Sequence, residues 1–172
     1  IFVNTDVDFE RHYQAMKTIG PPPAIAVTCY NAVYPDISPP GTSMVVLTAL
    51  AYGEPWYALP PAEYVATKNQ IADAMIDLAE RIAPGLRRYT EVVEVSTPLT
   101  NMRYAGTLGG SIYGFNQPPH DNMVWRMDYK GPLDRLYFAG AWTQPGGGFE
   151  PTMMSGVRAG RAVAFKSGKG DV

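Results

Sequence analysis

Residues 136–165 constrain this chain more than any other stretch. They run from an apolar tetrapeptide, Leu136-Tyr137-Phe138-Ala139, through Gly140 and the triplet Gly146-Gly147-Gly148, into a segment that opens at Pro151. Glycine reaches backbone angles closed to other residues and leaves the main chain bare. Proline suits the first turn of a helix, where its missing N–H would have no partner anyway. The pattern predicts a strand over 136–139, a glycine-rich bend and a helix over 151–165. Tyr137-Phe138-Ala139 is apolar without alternation, as in a strand covered on both faces of a parallel sheet. The N–H groups of Thr152 and its neighbours are then free to donate, and the helix end favours an anion or an electron-rich ring. Ser155, Gly156, Ala159 and Gly160 form a small-residue stripe suited to close approach by a neighbouring backbone. A glycine-rich turn with no ligand is the plainer alternative.

The remaining composition excludes several classes. The chain has 172 residues, 46% of them hydrophobic and 17% charged, which argues against disorder and allows one domain with a core or two small lobes. A net charge of −2 gives no footprint for nucleic acid or an anionic membrane. No apolar run approaches the ~20 residues needed to span a bilayer. The single cysteine, Cys29, excludes an internal disulfide, and its place in the apolar run 24–30 suggests a core thiol rather than a nucleophile. The opening Ile1-Phe2-Val3-Asn4 has no initiator Met and no signal-peptide organisation, so the expectation is a fragment, a processed product or one half of a split protein.

Along the chain, residues 1–4 suit a short strand. Residues 6–19 suit a helix capped by Asp6, with Phe9, Tyr13 and Met16 on one face and His12 on its surface. Asp6, Asp8 and Glu10 read as an acidic helix start. Residues 24–33 and 43–52 are apolar and β-branched, bounded by proline and glycine, and read as two strands, antiparallel neighbours if they pair. Residues 60–83 give the clearest helix, with Tyr64, Val65, Ile71, Met75, Ile76, Leu78 and Ile82 at helical spacing; Pro84-Gly85 ends it. Residues 89–96 alternate as a strand, and 101–113 are glycine-rich and ambiguous. This order suggests an α+β lobe followed by the last piece of a different, α/β lobe.

Two stretches carry a resemblance. LYFAGAWTQPGGGFEPTMMSGVRAGRA, residues 136–162, resembles the C-terminal FAD-binding segment of the flavin-containing amine oxidase and phytoene desaturase superfamily. EVVEVSTPLTNMRYAGTLGGSIYGF, residues 91–115, resembles the segment before it in the phytoene desaturase, carotenoid isomerase and retinol saturase branch. The resemblance implies an α+β substrate lobe with a mixed or antiparallel sheet over 1–110. It implies the terminal strand–turn–helix of an α/β, Rossmann-like FAD-binding domain over 111–172. It places Gly140 and Ala141 by the ribityl chain and phosphates, and Gly147, Gly148, Phe149 and Glu150 against the isoalloxazine. Thr152, at the helix N-terminus, points at the pyrimidine edge, and Trp142 and Met153 complete the cofactor set. Many relatives carry an acidic residue where Ala141 stands, and alanine cannot accept that hydrogen bond.

Such relatives also open with a Gly-x-Gly-x-x-Gly turn that holds the pyrophosphate. No glycines here fit it; Gly106-Thr107-Leu108-Gly109-Gly110 lacks the preceding strand and following helix and is either a flavin-side turn or a loop. The pyrophosphate half is therefore expected from an N-terminal dinucleotide-binding segment, in the same gene product or in a partner chain. The implied activity is FAD-dependent hydride transfer on an apolar polyene or lipid-like small molecule, by desaturation or isomerisation. An amine oxidase-like activity is the alternative. A flavin-free binding or structural lobe of a larger assembly, or an inactive partial piece, is the alternative of another class. Trp56, Tyr57 and Tyr113, with Tyr30 and Tyr34, are candidates to line a substrate cavity; the competing reading is core aromatics. His120, in a loop, reads as a turn residue rather than a base, and two scattered histidines with one cysteine offer no metal-ligand spacing. The expected location is cytoplasmic; a lipid substrate leaves peripheral membrane contact open, but no basic amphipathic helix supports it.

Overall fold

A computed structural model describes residues 1–114, 116, 118, 122 and 124–166 of the chain. His120 and the tail 167–172 lie outside the described residues. The chain forms two compact units, Ile1–Tyr104 and Ala105–Val172.

The first unit is built on an antiparallel sheet of three strands in the order β1 (Phe2–Asn4), β2 (Ala24–Cys29) and β3 (Val45–Thr48). Val3 sits opposite Ile25, and Val27 opposite Leu47. Alternation along each strand puts these four on one face. That face is covered by α3 (Tyr64–Ala79), and Val3, Ile25, Leu78 and Ala79 form the core, with Val27, Leu47, Ala49, Met75 and Leu86 packed around them. The antiparallel, α+β character expected of this region is what the structure has.

The edges differ from expectation. The strand expected over 24–33 stops at Cys29, where a 3-10 turn, Tyr30–Ala32, takes over. Cys29 is exposed, not a core thiol, because the covered part of the face ends at Val27. The helix expected over 60–83 is shorter at both ends. Val65 and Ile82 are exposed, and only its C-terminal half, with Ile76, Leu78 and Ala79, is buried. A short α2 (Glu54–Ala58) precedes it. After it, α4 (Leu86–Tyr89) starts from Gly85 at φ +90°. Arg87 ties α4 back to α3: its guanidinium donates to Asp73 at 2.8 Å and Asp77 at 2.7 Å, and its backbone N–H donates to Glu80 at 2.8 Å. The strand expected over 89–96 is absent. Residues 91–97 pair with nothing as a ladder, and Val92 and Val93 are exposed, so the alternation has no buried face to serve. Residues 98–105 instead form α5 (Pro98–Ala105).

At the first corner, α1 (Phe9–Ala15) is capped by Asp8, whose carboxylate accepts from the Arg11 N–H at 3.0 Å. Asp6 was the expected cap. It closes a tighter turn, accepting from the Asp8 N–H at 2.9 Å, and holds His12 Nε2 at 3.0 Å. His12 is therefore buried rather than on the helix surface. The Asp8 N–H bond, joined by Thr5, Arg11 and His12, holds the Asp6 carboxyl below the ordinary carboxylate range despite some desolvation.

In the second unit the expected strand over 136–139 is reduced to a single antiparallel bridge between Lys130 and Tyr137. A buried parallel strand takes its ladder from neighbours on both sides, and among the described residues Lys130 is the one bridge partner. The expected helix is present and longer, as α6 (Phe149–Lys166). Among the described residues no helix is long and apolar enough to cross a membrane.

Leu78→Ala removes the helix side of the core and should cost about 2–5 kcal/mol by chemical denaturation. Asp6 has a depressed folded pKa, so its contribution is full above its unfolded pKa, near 3.9, and is lost as pH falls through the folded value. Asp6→Asn should lower the Tm at neutral pH and flatten its decline on the acid side.

Candidate functional site

The second unit concentrates its buried polar groups at the bend before α6. Gly140 sits at φ +120°. Its N–H donates to Ser155 Oγ at 2.7 Å, and its carbonyl accepts from the Thr143 N–H at 3.2 Å and Thr143 Oγ1 at 3.0 Å. Ser155 Oγ in turn donates to the Thr152 carbonyl at 2.7 Å. The Ala141 carbonyl accepts from Arg126 Nη1 at 2.9 Å. Gln144 Nε2 donates to the carbonyls of Val124 at 2.8 Å and Arg126 at 3.1 Å. Ser155, Thr143 and Arg126 are all buried, so side chains fix the bend from within.

Main chain fixes it from the other side. A Cβ on Gly147 would stand 2.4 Å from Tyr113 Cα, and one on Gly114 would stand 2.5 Å from the Ala141 carbonyl oxygen. Residues 113–114 therefore lie against 141 and 147 with no side chain between them. Two other glycines face open space. Among the described residues nothing lies within 4 Å of a Cβ built on Gly140, and a Cβ on Gly148, at φ +110°, meets only the Pro151 ring at 3.4 Å. These two positions leave the backbone bare.

The expected cofactor residues are thus placed unequally. Gly140, Ala141, Gly147 and Gly148 belong to the bend; Trp142 is half-buried beside them. Phe149, 91% exposed, and Glu150 lie on the first turn of α6, and Met153 is exposed one turn on. The Thr152 N–H is not the free donor that the sequence suggested. It donates to the Gly148 carbonyl at 3.1 Å, because α6 starts two residues earlier than expected. The amides without a partner inside the helix are those of Gly148, Phe149 and Glu150. The small-residue stripe divides: Ser155 and Ala159 are buried, while Gly156 and Gly160 face open space. Thr143, Arg126 and Gln144 escaped the sequence reading, since a lone polar side chain in a loop carries no periodic signal.

A separate apolar depression of about 480 Å³ occupies the first unit, lined by Trp56, Tyr57, Leu59, Tyr64, Leu99 and Met102. Such a volume suits a small organic ligand. Trp56 is buried and meets Tyr64 edge-on, ring centres 6.2 Å apart. Tyr64 OH and Thr97 Oγ1 are paired at 2.9 Å. Burial alone would raise the Tyr64 phenol, but its hydrogen bonds to Thr97 and Thr100 and the Lys68 charge bring it below the ordinary value. Burial, with the Glu54 carboxylate nearby, pushes the Tyr57 phenol up. Of the other aromatic candidates, Tyr30 and Tyr34 are exposed and line no part of this depression, and Tyr113 lies in the other unit against Gly147.

A helix start reached through bare glycine backbone is the form of a segment that receives an anionic or electron-rich group. The chain belongs to the flavin containing amine oxidoreductase family, whose model matches residues 1–164. It is 28% identical over 134 residues to the chloroplastic prolycopene isomerase of Arabidopsis thaliana, covering 77% of this chain and 22% of that protein. It is 28% identical over 141 residues to pyridine nucleotide-disulfide oxidoreductase domain-containing protein 2 of Mus musculus, covering 73% and 22%. It is 28% identical over 119 residues to the all-trans-retinol 13,14-reductase of Macaca fascicularis, covering 64% and 20%. The chain spans about a fifth of the length of these curated relatives.

Gly147→Ala should lower the Tm by several degrees, because the methyl enters the Tyr113 main chain. Gly160→Ala, in open space on α6, should raise stability by about 0.5–1 kcal/mol. Thermal melts of the two variants side by side check both.

Proposed function

We propose that this chain is the C-terminal part of an FAD-dependent oxidoreductase that acts by hydride transfer on an apolar polyene or lipid-like substrate, in a desaturation or isomerisation. The observation that carries the reading is the open, left-handed backbone of Gly140 and Gly148 at the entrance to α6, in a chain of a flavin-containing family. The donor set fits part of such a cofactor: bare main chain for close approach, and first-turn amides aimed where negative charge is welcome.

When bound, FAD supplies the hydride-accepting chemistry. The chain's own residues hold and polarise. The first turn of α6 favours negative charge beside it by about 0.3–2 kcal/mol. Gly140 and Gly148 admit a flat group that any Cβ would obstruct. Ser155, Thr143 and Arg126 keep the bend rigid, so its amides need not reorganise. In this reading α6 is the closing helix of a Rossmann-like domain, and the pyrophosphate turn comes from residues outside this sequence, in the same polypeptide or a partner.

The substrate class draws on the first unit. Of the two phenols lining the depression, that of Tyr64 is paired with Thr97, and apart from the Tyr57 hydroxyl the walls offer mainly hydrocarbon surface. The names of two relatives refer to prolycopene and all-trans-retinol, both extended apolar molecules.

In the complete flavoprotein, Gly148→Val should release flavin at least tenfold more readily than wild type, while Gly160→Ala keeps it; the visible flavin absorbance after gel filtration reads the difference. Equal flavin in both variants would reject the site. Denaturing the native protein should release FAD and a polyene or similar lipid. Anaerobic bleaching of the flavin by a simple amine would instead support an amine oxidase.

A further inference from the structure

We infer that the hydroxyls of Thr107 and Ser111 are hydrogen-bonding contacts for the polar ring edge of the cofactor received at the bend; this rests on the flavin reading above. Both hydroxyl oxygens are shut off from solvent, and among the described residues neither has a hydrogen-bond partner. Buried hydroxyls are nearly always paired, and an unpaired one is a cost that needs a reason. The two residues flank a single 3-10 turn, Leu108–Gly110. The turn's own amides are spent: Gly110 N–H donates to the Thr107 carbonyl and Ser111 N–H to the Leu108 carbonyl, both at 3.2 Å. The side-chain hydroxyls are what remains.

The turn is anchored to the bend. Ser111 is two residues from Tyr113, whose main chain lies against Gly147, and three from Gly114, which lies against Ala141. Two residues of chain reach at most about 7 Å. Gly106, Gly109 and Gly110 all have φ between +63° and +68°, a conformation that favours glycine at each of these turn positions. Thr107 and Ser111 are each half-buried overall, so part of each residue already meets the surface, and χ1 offers each hydroxyl other staggered positions. A hydroxyl both donates and accepts. A hydrocarbon substrate offers neither partner. A flavin ring edge, with carbonyl oxygens alternating with an N–H, offers both.

The test strips the complete flavoprotein and titrates it with FAD. Ser111→Ala and Thr107→Val should each raise the Kd by about two- to tenfold, the double variant more, with a shift in the bound flavin's absorption band. Thr107→Ser should restore both readings. The Tm of the stripped protein should hold or rise, because an unpaired group is removed. An unchanged Kd and band in the double variant overturns the assignment. Gly148→Val runs in parallel: if it loses FAD while the double variant does not, only this inference falls, and if it too keeps FAD, the flavin reading falls with it.

Discussion

Main chain meeting main chain is the contact on which the second unit depends. Gly114 lies on Ala141 and Gly147 lies on Tyr113, so two loops with no shared ladder are locked at backbone distance. A side chain at either glycine would push them apart. The buried hydrogen bonds of Thr143, Ser155 and Arg126 then act on a frame already fixed. This division lets Gly140 and Gly148 stay bare: their neighbours need no contact from them.

The first unit is held in the opposite manner. Apolar side chains from one sheet face meet the C-terminal half of α3, and polar groups close on one another at the margins. Arg87 with Asp73 and Asp77, Asp6 with His12 and Arg11, and Tyr64 with Thr97 are each small, satisfied sets. What stays open beside them is hydrocarbon, around Trp56 and Tyr57.

Much of this was legible because it is periodic or glycine-marked. The three strands of the sheet and the long helices α3 and α6 follow from apolar spacing, and the bend follows from glycine and proline. The failures have physical causes. Alternation at 91–96 looks like a strand, but alternation pays only when one face is covered, and here Val92 and Val93 are exposed. Residues 136–139 carry the composition of a buried parallel strand, yet a strand exists through its neighbours, and the described residues supply one bridge. The helix α6 starting at Phe149 rather than Pro151 moved the free amides two residues back, which no composition rule reveals. The buried Arg126 and Thr143 sit in loops where tertiary hydrogen bonds, not local pattern, decide their place.

The exposed Cys29 has a practical meaning. Among these 172 residues it is the sole thiol, standing at the end of a strand and outside the lining of the apolar depression. Any disulfide formed through these residues uses that one sulfur. A maleimide dye placed there reports on the sheet unit from a single known address.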